Sequence, residues 1–567
     1  MRPQESESTP LFCPELGNKT TKVTKKESPR AQLSGRGPAK APHTQPQSRQ
    51  TKAKSTKGRL SPRKAATLTY ILGFLLIFSF FYFIYGDMIT RAEQDMYISS
   101  SPDTMYYLLS QSDGRLFYVF RWVMLVCKWA LAGAAFLALV MTLTAWAFDY
   151  ALQIPRKLRG LGFLVGAGET GWMIFQGTNL YYKSEPSLIV LIPIALLVLC
   201  SLLALLTRLA RKYAAKAPQP VDSQTKIRPW GALFPLILFI GLGWSAKTFN
   251  ENAILTARFQ NLAWQQDWET IIKEAHQAKQ PSRAVAAYYA IALEETDQLL
   301  DGMFDIAYEF PKLKLKKHEG SEEYGLFVTD CNYHAGLLNA SYRCAMDHLV
   351  MNGPRLYMYK RMAVCSLLNG EEKLCRKYLR LIAQMPFEQS FVEKYEAMLD
   401  NPELIAQDPE LAHVRHLIPK EDKFEQNYQP PAFLGYNVGL YTGSDYTLIT
   451  SAAACLYSKD LIRFLQRAKV MHQKRLRFPP CMQEAIAILG LRDPNILKQF
   501  PEVSQYSSQQ VRSFLFDAKP YIKDRLKLRH ELKERWLGTY AYYYYTENND
   551  PEQVAKSYDP SNKVGVN

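Results

Sequence analysis

Between residues 65 and 246 the chain is dominated by uncharged apolar runs, and after that by amphipathic spacing. Ala65 to Tyr85 carries no charged residue, and ~20 apolar residues suffice to carry a helix across ~30 Å of hydrocarbon. This first run predicts a membrane span at 65–85, too long and too deep in the chain for a cleaved signal peptide. A second span is predicted at 122–148, uncharged from Trp129 to Phe148 and flanked by Arg121, Trp122 and Lys128, whose long side chains can snorkel outward. Residues 161–182 read as a third span despite Glu169, 188–207 as a fourth with Pro193, and 230–246 as a shorter fifth with Pro235.

From Leu255 onward apolar residues recur at spacings of three and four, as in Phe259, Leu262, Ala263 and then Trp268, Ile271, Ile272, Ala275. That period is helical, and strand-like alternation is scarce. Breaks at Pro281, Asn369-Gly370, Pro386, Pro402, Pro430-Pro431, Pro479-Pro480 and Pro494 leave helices of ordinary length between them. The expected fold is therefore all-α, a polytopic transmembrane helix bundle followed by an α-helical array. Some pairs resemble degenerate tetratricopeptide units. The best runs from Met362 through Gly370 to Pro386, with Cys375 at the small-residue position; others run from Leu262 to Pro281 and from Ala452 to Pro479.

Charge sorts these segments. The formal net charge is +16, yet residues 1–64 hold fifteen Lys and Arg against four Glu, and the chain after residue 246 is balanced at forty of each sign. A neutral array removes the case for a nucleic-acid partner. The tail at 1–64 is poor in large apolar residues and is expected to be a disordered basic cytoplasmic segment. Three segments, the tail and the loops after spans two and four, carry twenty-four basic residues, whereas the loops after spans one and three carry three besides Arg121 at the flank of span two. By the positive-inside rule this predicts five crossings, the N-terminus cytoplasmic and residues 247–567 an extracytoplasmic domain.

Candidate chemistry is sparse. Glu169 is a carboxyl deep in a span, where ionisable groups are costly and often functional, although Gly162 and Gly166 beside it suggest a helix buried by close packing. In the loop after span one, Glu93 and Asp95 form an acid-x-acid pair that could share a divalent cation on a phosphate-bearing donor, although such short acidic matches are common by chance and a solvated loop is the plainer reading. Arg91, Arg115 and Arg121 would be the groups to hold such a phosphate. His413 and His416 lack further ligands at metal spacing, so no metal site is assigned. Six of the nine cysteines lie in the array without CxxC spacing and read as buried thiols. The tyrosines at 540 and 542–545 read as a terminal helix or strand docking by its rings, with a membrane-surface or partner contact as the alternative. No nucleotide-binding, hydrolase or metalloprotease motif occurs, and no cofactor is called for.

Arg91-Ala92-Glu93-Gln94, Leu456-Tyr457-Ser458-Lys459-Asp460-Leu461, Pro479-Pro480 with Gln483-Glu484-Ala485, and Gly538-Thr539-Tyr540 together resemble an uncharacterised family. It is a family of multi-pass membrane proteins of Bacteroidales, classed as a domain of unknown function, and the similarity runs over roughly residues 65–550. The resemblance implies an inner-membrane location with a periplasmic helical domain and carries over no catalytic residue. The leading expectation is a non-enzymatic, membrane-anchored helical-repeat protein binding a protein or an envelope polymer. The alternative is an envelope glycosyl- or phospho-transferase using Glu93 or Asp95; a transporter would rest on Glu169 alone.

Overall fold

The computed structural model describes residues 62–111, 114–155, 158–213, 230–308, 325–419 and 444–546. The basic tail up to residue 61, the basic loop 214–229, the lysine run at 312–317 and the Pro430-Pro431 break lie outside the described residues. Every regular element among the described residues is a helix, as the apolar spacing predicts. The first part of the chain forms α1 (Pro62–Phe83), α2 (Gly86–Gln94), α3 (Pro102–Ser110), α4 (Gly114–Met124), α5 (Ala130–Ala151), α6 (Phe163–Gln176), α7 (Leu188–Tyr213) and α8 (Trp230–Phe249).

Three of these, α1, α5 and α7, are long and apolar enough to cross a membrane. Their outer faces expose Ile71, Leu75, Leu139, Leu199 and Leu206, joined by Ile237 and Trp244 of α8. Such a continuous apolar exterior is characteristic of a surface meant for lipid rather than water. Two expected spans differ from the helices that form. The second starts at Ala130 rather than 122, because Lys128 turns aside to reach Glu388 at 2.6 Å and the Phe387 carbonyl at 2.9 Å, and Trp129 becomes extended. The third is cut to fourteen residues by Gly177 at φ +54°; at ~1.5 Å per residue that is only ~21 Å. The side-chain amide of Asn250 donates to the Ile174 carbonyl at 2.5 Å, pinning the end of α6 to the end of α8.

The apolar helices alternate in direction. Asn250 also donates to Tyr85 at 2.9 Å, and Arg121 binds Glu185 just ahead of α7, so the ends of α1, α6 and α8 gather with the starts of α5 and α7. At the opposite end Asp149 closes the bundle. Its carboxylate accepts from Tyr70 Oη at 2.7 Å and from the backbone N–H groups of Gly160 and Gly162 at 3.0 and 2.8 Å. Gly162 is where two helices touch, since a Cβ there would lie 2.2 Å from the Ala145 carbonyl oxygen. A Cβ at Gly166 would make only ordinary contact with Met141, at 3.5 Å, and one at Gly168 or Gly171 would meet nothing within 4 Å.

The array begins at once after α8 with α9 (Glu251–Gln265), α10 (Trp268–Gln277) and α11 (Arg283–Glu295). Asp267 and Ser282 cap α10 and α11 by accepting from Thr270 N and Val285 N, satisfying donors that the first turn leaves orphaned. The expected pair around Cys375 is present as the helices Leu356–Leu368 and Glu372–Ile382, turned by Gly370 at φ +73°, with Cys375 fully buried between them. Of the eight described cysteines, Cys344 is half-buried and the others are buried. The tyrosine run forms the helix Tyr540–Thr546 and docks by its rings: Tyr543 lies 4.8 Å from Phe304 and donates to the Tyr457 carbonyl. Glu484 accepts from Ala541 N at 3.0 Å at that helix's start, so the motif residues around 457, 484 and 540 meet in one place. The described helices from α1 to the tyrosine run all belong to a single compact unit, Leu60–Asn567.

Candidate functional site at the junction

The chain leaving α1 folds straight into α2, which is enclosed by α5 and α9. Met88, Ile89 and Ala92 are fully buried, and Arg91, Glu93 and Asp95 are 2%, 2% and 1% exposed. A buried charge costs several kcal/mol unless it is paired, so the pairing reveals what these residues do. Arg91 Nη2 donates to Asp95 Oδ1 at 3.0 Å, and its guanidinium lies 3.6 Å above the centre of the Tyr357 ring. Arg355 donates to the Asp95 backbone carbonyl.

From this pair the network extends in two directions. Toward α7, Arg121 grips Glu185 with two bonds of 2.8 and 2.7 Å, and the Ser187 hydroxyl adds a third at 3.1 Å. Burial alone would raise the Glu185 carboxyl; the Arg121 hydrogen bond and charge carry it below the usual range. His348 lies within electrostatic reach of Asp95, Arg355 and Arg91, and burial lowers its pKa to about 4, so it is neutral at pH 7.

Toward the array, Tyr357 donates to Asp330, which also accepts from Tyr288 Oη at 2.6 Å and from Arg361 Nη2 at 3.0 Å. The Arg361 guanidinium lies 3.8 Å from the centre of the Tyr333 ring and 5.0 Å from that of Trp264, with Glu410 at 3.7 Å. Burial would push Asp330 up, but Arg361 and the two tyrosine hydroxyls hold it below the ordinary carboxylate range. A second cluster sits beside the first, with Glu388 bridging Lys128 and Lys360 at 2.6 Å each.

The acid-x-acid pair is split between these clusters. Asp95 faces Arg91, whereas Glu93 faces Lys128, Glu388 and Lys360; its carboxyl is pushed up to about 7, chiefly by burial, with Glu388 adding to the rise and the two lysines opposing it. Among the described residues no group of three His, Cys, Asp or Glu side chains is placed to hold a metal ion. Arg91 and Arg121 belong to the network; Arg115, exposed on α4, takes part in none of these bonds. Glu169 is 4% exposed in α6, and neither of its carboxylate oxygens has a hydrogen-bond partner among the described residues.

Sequence reasoning singled out Arg91, Asp95 and Arg121 but missed Arg355, Arg361, Asp330, Tyr357 and Glu185. One signal was available. Arg361 interrupts the run Leu356–Leu368, and a charge inside an apolar helix has to find a buried counter-charge somewhere. Which residue answers it lies 31 positions away, at Asp330. Chemically the junction is a set of alternating charges paired within the protein, although Arg91 Nε and Nη1, Glu93 Oε1 and Arg361 Nε have no hydrogen-bond partner among the described residues, and the grooves of about 720 and 410 Å³ are lined by other residues.

Comparison with curated proteins and with solved structures returned no match. A family match is found over residues 168–547, a narrower stretch than the motifs suggest, covering Glu185, Asp330, Arg355, Arg361 and Glu410 but not α2. By that match the chain belongs to a family of unknown function, DUF6057.

Proposed function

We propose that the chain is a multi-pass inner-membrane protein whose helical array is held rigidly outside the cytoplasm as a scaffold and binds a protein or an envelope polymer there. The buried charge network between α2 and the array carries this reading. Moving the two halves apart would break the Lys128–Glu388 ion pair, take the Asp95 carbonyl from Arg355 and lift the Arg91 guanidinium off the Tyr357 ring, and an uncompensated buried charge costs several kcal/mol. The array is thus presented at one orientation, as suits a binding platform and not a hinged lid. Alternating helix directions support five crossings with the array opposite the basic tail, even though α6 alone is short for a span. The transferase alternative needs Glu93 and Asp95 to converge on an open cavity, and they face different clusters in the protein interior.

The surface best suited to a partner is a groove of about 410 Å³ between the helices Gln505–Ala518 and Arg525–Trp536, lined by Arg512, Phe516, Asp517 and Arg535. Phe516 stands 78% exposed there. Arg535 is already paired with Asp517 at 2.7 Å, so it is Arg512 beside the exposed aromatic ring that has the composition of an interface anchor and favours an acidic partner segment. A photo-crosslinking amino acid at position 516 in living cells should give a discrete adduct that Arg512→Glu abolishes. Absence of an adduct, or equal adducts from the exposed position Ile462, would remove the reading.

A further inference from the structure

We infer that the end of the bundle opposite the array holds one anionic glycerophospholipid in a groove between α1 and α5. The inference rests on the membrane reading above. The groove has a volume of about 720 Å³, inside the ~300–1,000 Å³ range of sites that enclose small ligands. Thr67, Tyr70 and Phe74 reach it from one face of α1, Thr142 and Trp146 from one face of α5, and Arg159 from the loop that follows α5. These spacings of three and four put each set on a single helical stripe. One wall is therefore apolar and the rim carries a cation.

Charge complementarity chooses the occupant. Asp149, the nearest acid, is 3% exposed and already accepts three hydrogen bonds, from Tyr70, Gly160 and Gly162. Arg159 makes no ion pair among the described residues, with Asp149 or with any other acid, and is only half-buried. A guanidinium at the rim of an apolar slot, on the outer face of membrane helices, fits a phosphate above an acyl chain. The Thr142 hydroxyl, which has no partner among the described residues, lines the same slot. Ile71 beside it is 52% exposed and Trp146 55% exposed, so the acyl chain would lie along a surface that is open to the bilayer. A zwitterionic lipid would bring its own cation to Arg159 and gain less.

The test uses the full-length protein in detergent micelles doped with equal amounts of dioleoyl phosphatidylglycerol and dioleoyl phosphatidylcholine, read by native mass spectrometry. Wild type should retain one phosphatidylglycerol in preference to phosphatidylcholine. Arg159→Gln should lower that retention about fivefold, the weight of one basic side chain at an anionic lipid surface, and Arg159→Lys should keep most of it. Thr142→Trp fills the slot and should abolish the adduct with the arginine intact; should that variant not fold, the Gln and Lys pair still decides. Unchanged retention in Arg159→Gln, or equal retention of both lipids by wild type, overturns the inference. Recovery of the wild-type chain in the soluble fraction after cell lysis would instead overturn the membrane reading beneath it.

Discussion

Asp330 is the hub on which the array depends, and replacing it by alanine tests the packing account most sharply. The substitution removes the acceptor for Arg361, Tyr288 and Tyr357 together and leaves a guanidinium that is 4% exposed, with Glu410, at 3.7 Å, as its remaining ion-pair partner among the described residues. Breaking a buried pair by removing one member costs about 3–5 kcal/mol. At ~2.1 cal/mol/K per residue over the roughly 300 residues of the array, that loss lowers the unfolding midpoint by roughly 5–8 °C. Differential scanning fluorimetry in detergent suits the measurement, because Trp264 lies 5.0 Å from the Arg361 guanidinium and reports on its surroundings. Asp301→Ala is the control: its pair with Arg477 is comparably short at 2.7 Å but exposed, and such pairs contribute at most ~1 kcal/mol.

The pH dependence follows from the direction of the Asp330 shift. A carboxyl whose folded pKa lies below its unfolded value stabilises the fold above the unfolded pKa, about 3.9, and loses that contribution as pH falls through the folded value. The deficit of Asp330→Ala should therefore be constant from pH 8 to pH 5. Replacing both partners, Asp330→Leu with Arg361→Met, should recover part of the loss, since the guanidinium is no longer stranded and, among the described residues, only Glu410, which keeps its contact with Gln266, loses an ion-pair partner. A midpoint drop no larger than that of Asp301→Ala, or a double variant worse than Asp330→Ala alone, would refute the reasoning.

Other outcomes follow from individual sites. Gly162→Ala drives a Cβ to 2.2 Å from backbone oxygen and should destabilise the bundle by about 1–3 kcal/mol in thermal melts, whereas Gly171→Ala meets nothing within 4 Å and should be neutral or slightly stabilising. Glu93, with its folded pKa raised to about 7, stabilises less and less as pH climbs from its unfolded value near 4.5 through 7; Glu93→Gln should therefore gain midpoint relative to wild type between pH 5 and pH 8, and a gain that shrinks with pH would contradict the burial of that carboxyl. Alkaline phosphatase fused after Asn250 should be active and green fluorescent protein fused there dark; the reverse pair would place the array in the cytoplasm.

Much of the architecture is legible along the chain because it depends on local period and length. The uncharged run before Gly86, the spacing from Phe259 to Ala275 and the ring-docked tyrosines need no knowledge of distant residues, and each forms the element expected. Capping is local too: Asp267 and Ser282 sit one turn from the donors they satisfy. Element ends were harder to read. Whether the second span starts at 122 or Ala130 turns on a bond between Lys128 and Glu388, 260 positions apart, and no window of sequence contains both. The same limit governed the site. Arg91, Glu93 and Asp95 are visible as a charged segment, and in isolation two carboxylates two residues apart read first as a solvated loop and only second as a ligand pair. Tertiary structure decided otherwise, because it wrapped that segment into a buried helix. Once out of water each charge took the nearest counter-charge: for Asp95 it was Arg91, one turn back on the same segment, but for Glu93 it was the surroundings of Lys128 and of the distant Lys360. Composition and periodicity determine which segments leave water, but only the assembled fold determines what each buried charge meets there, since that pairing is set by distance in space and not along the chain.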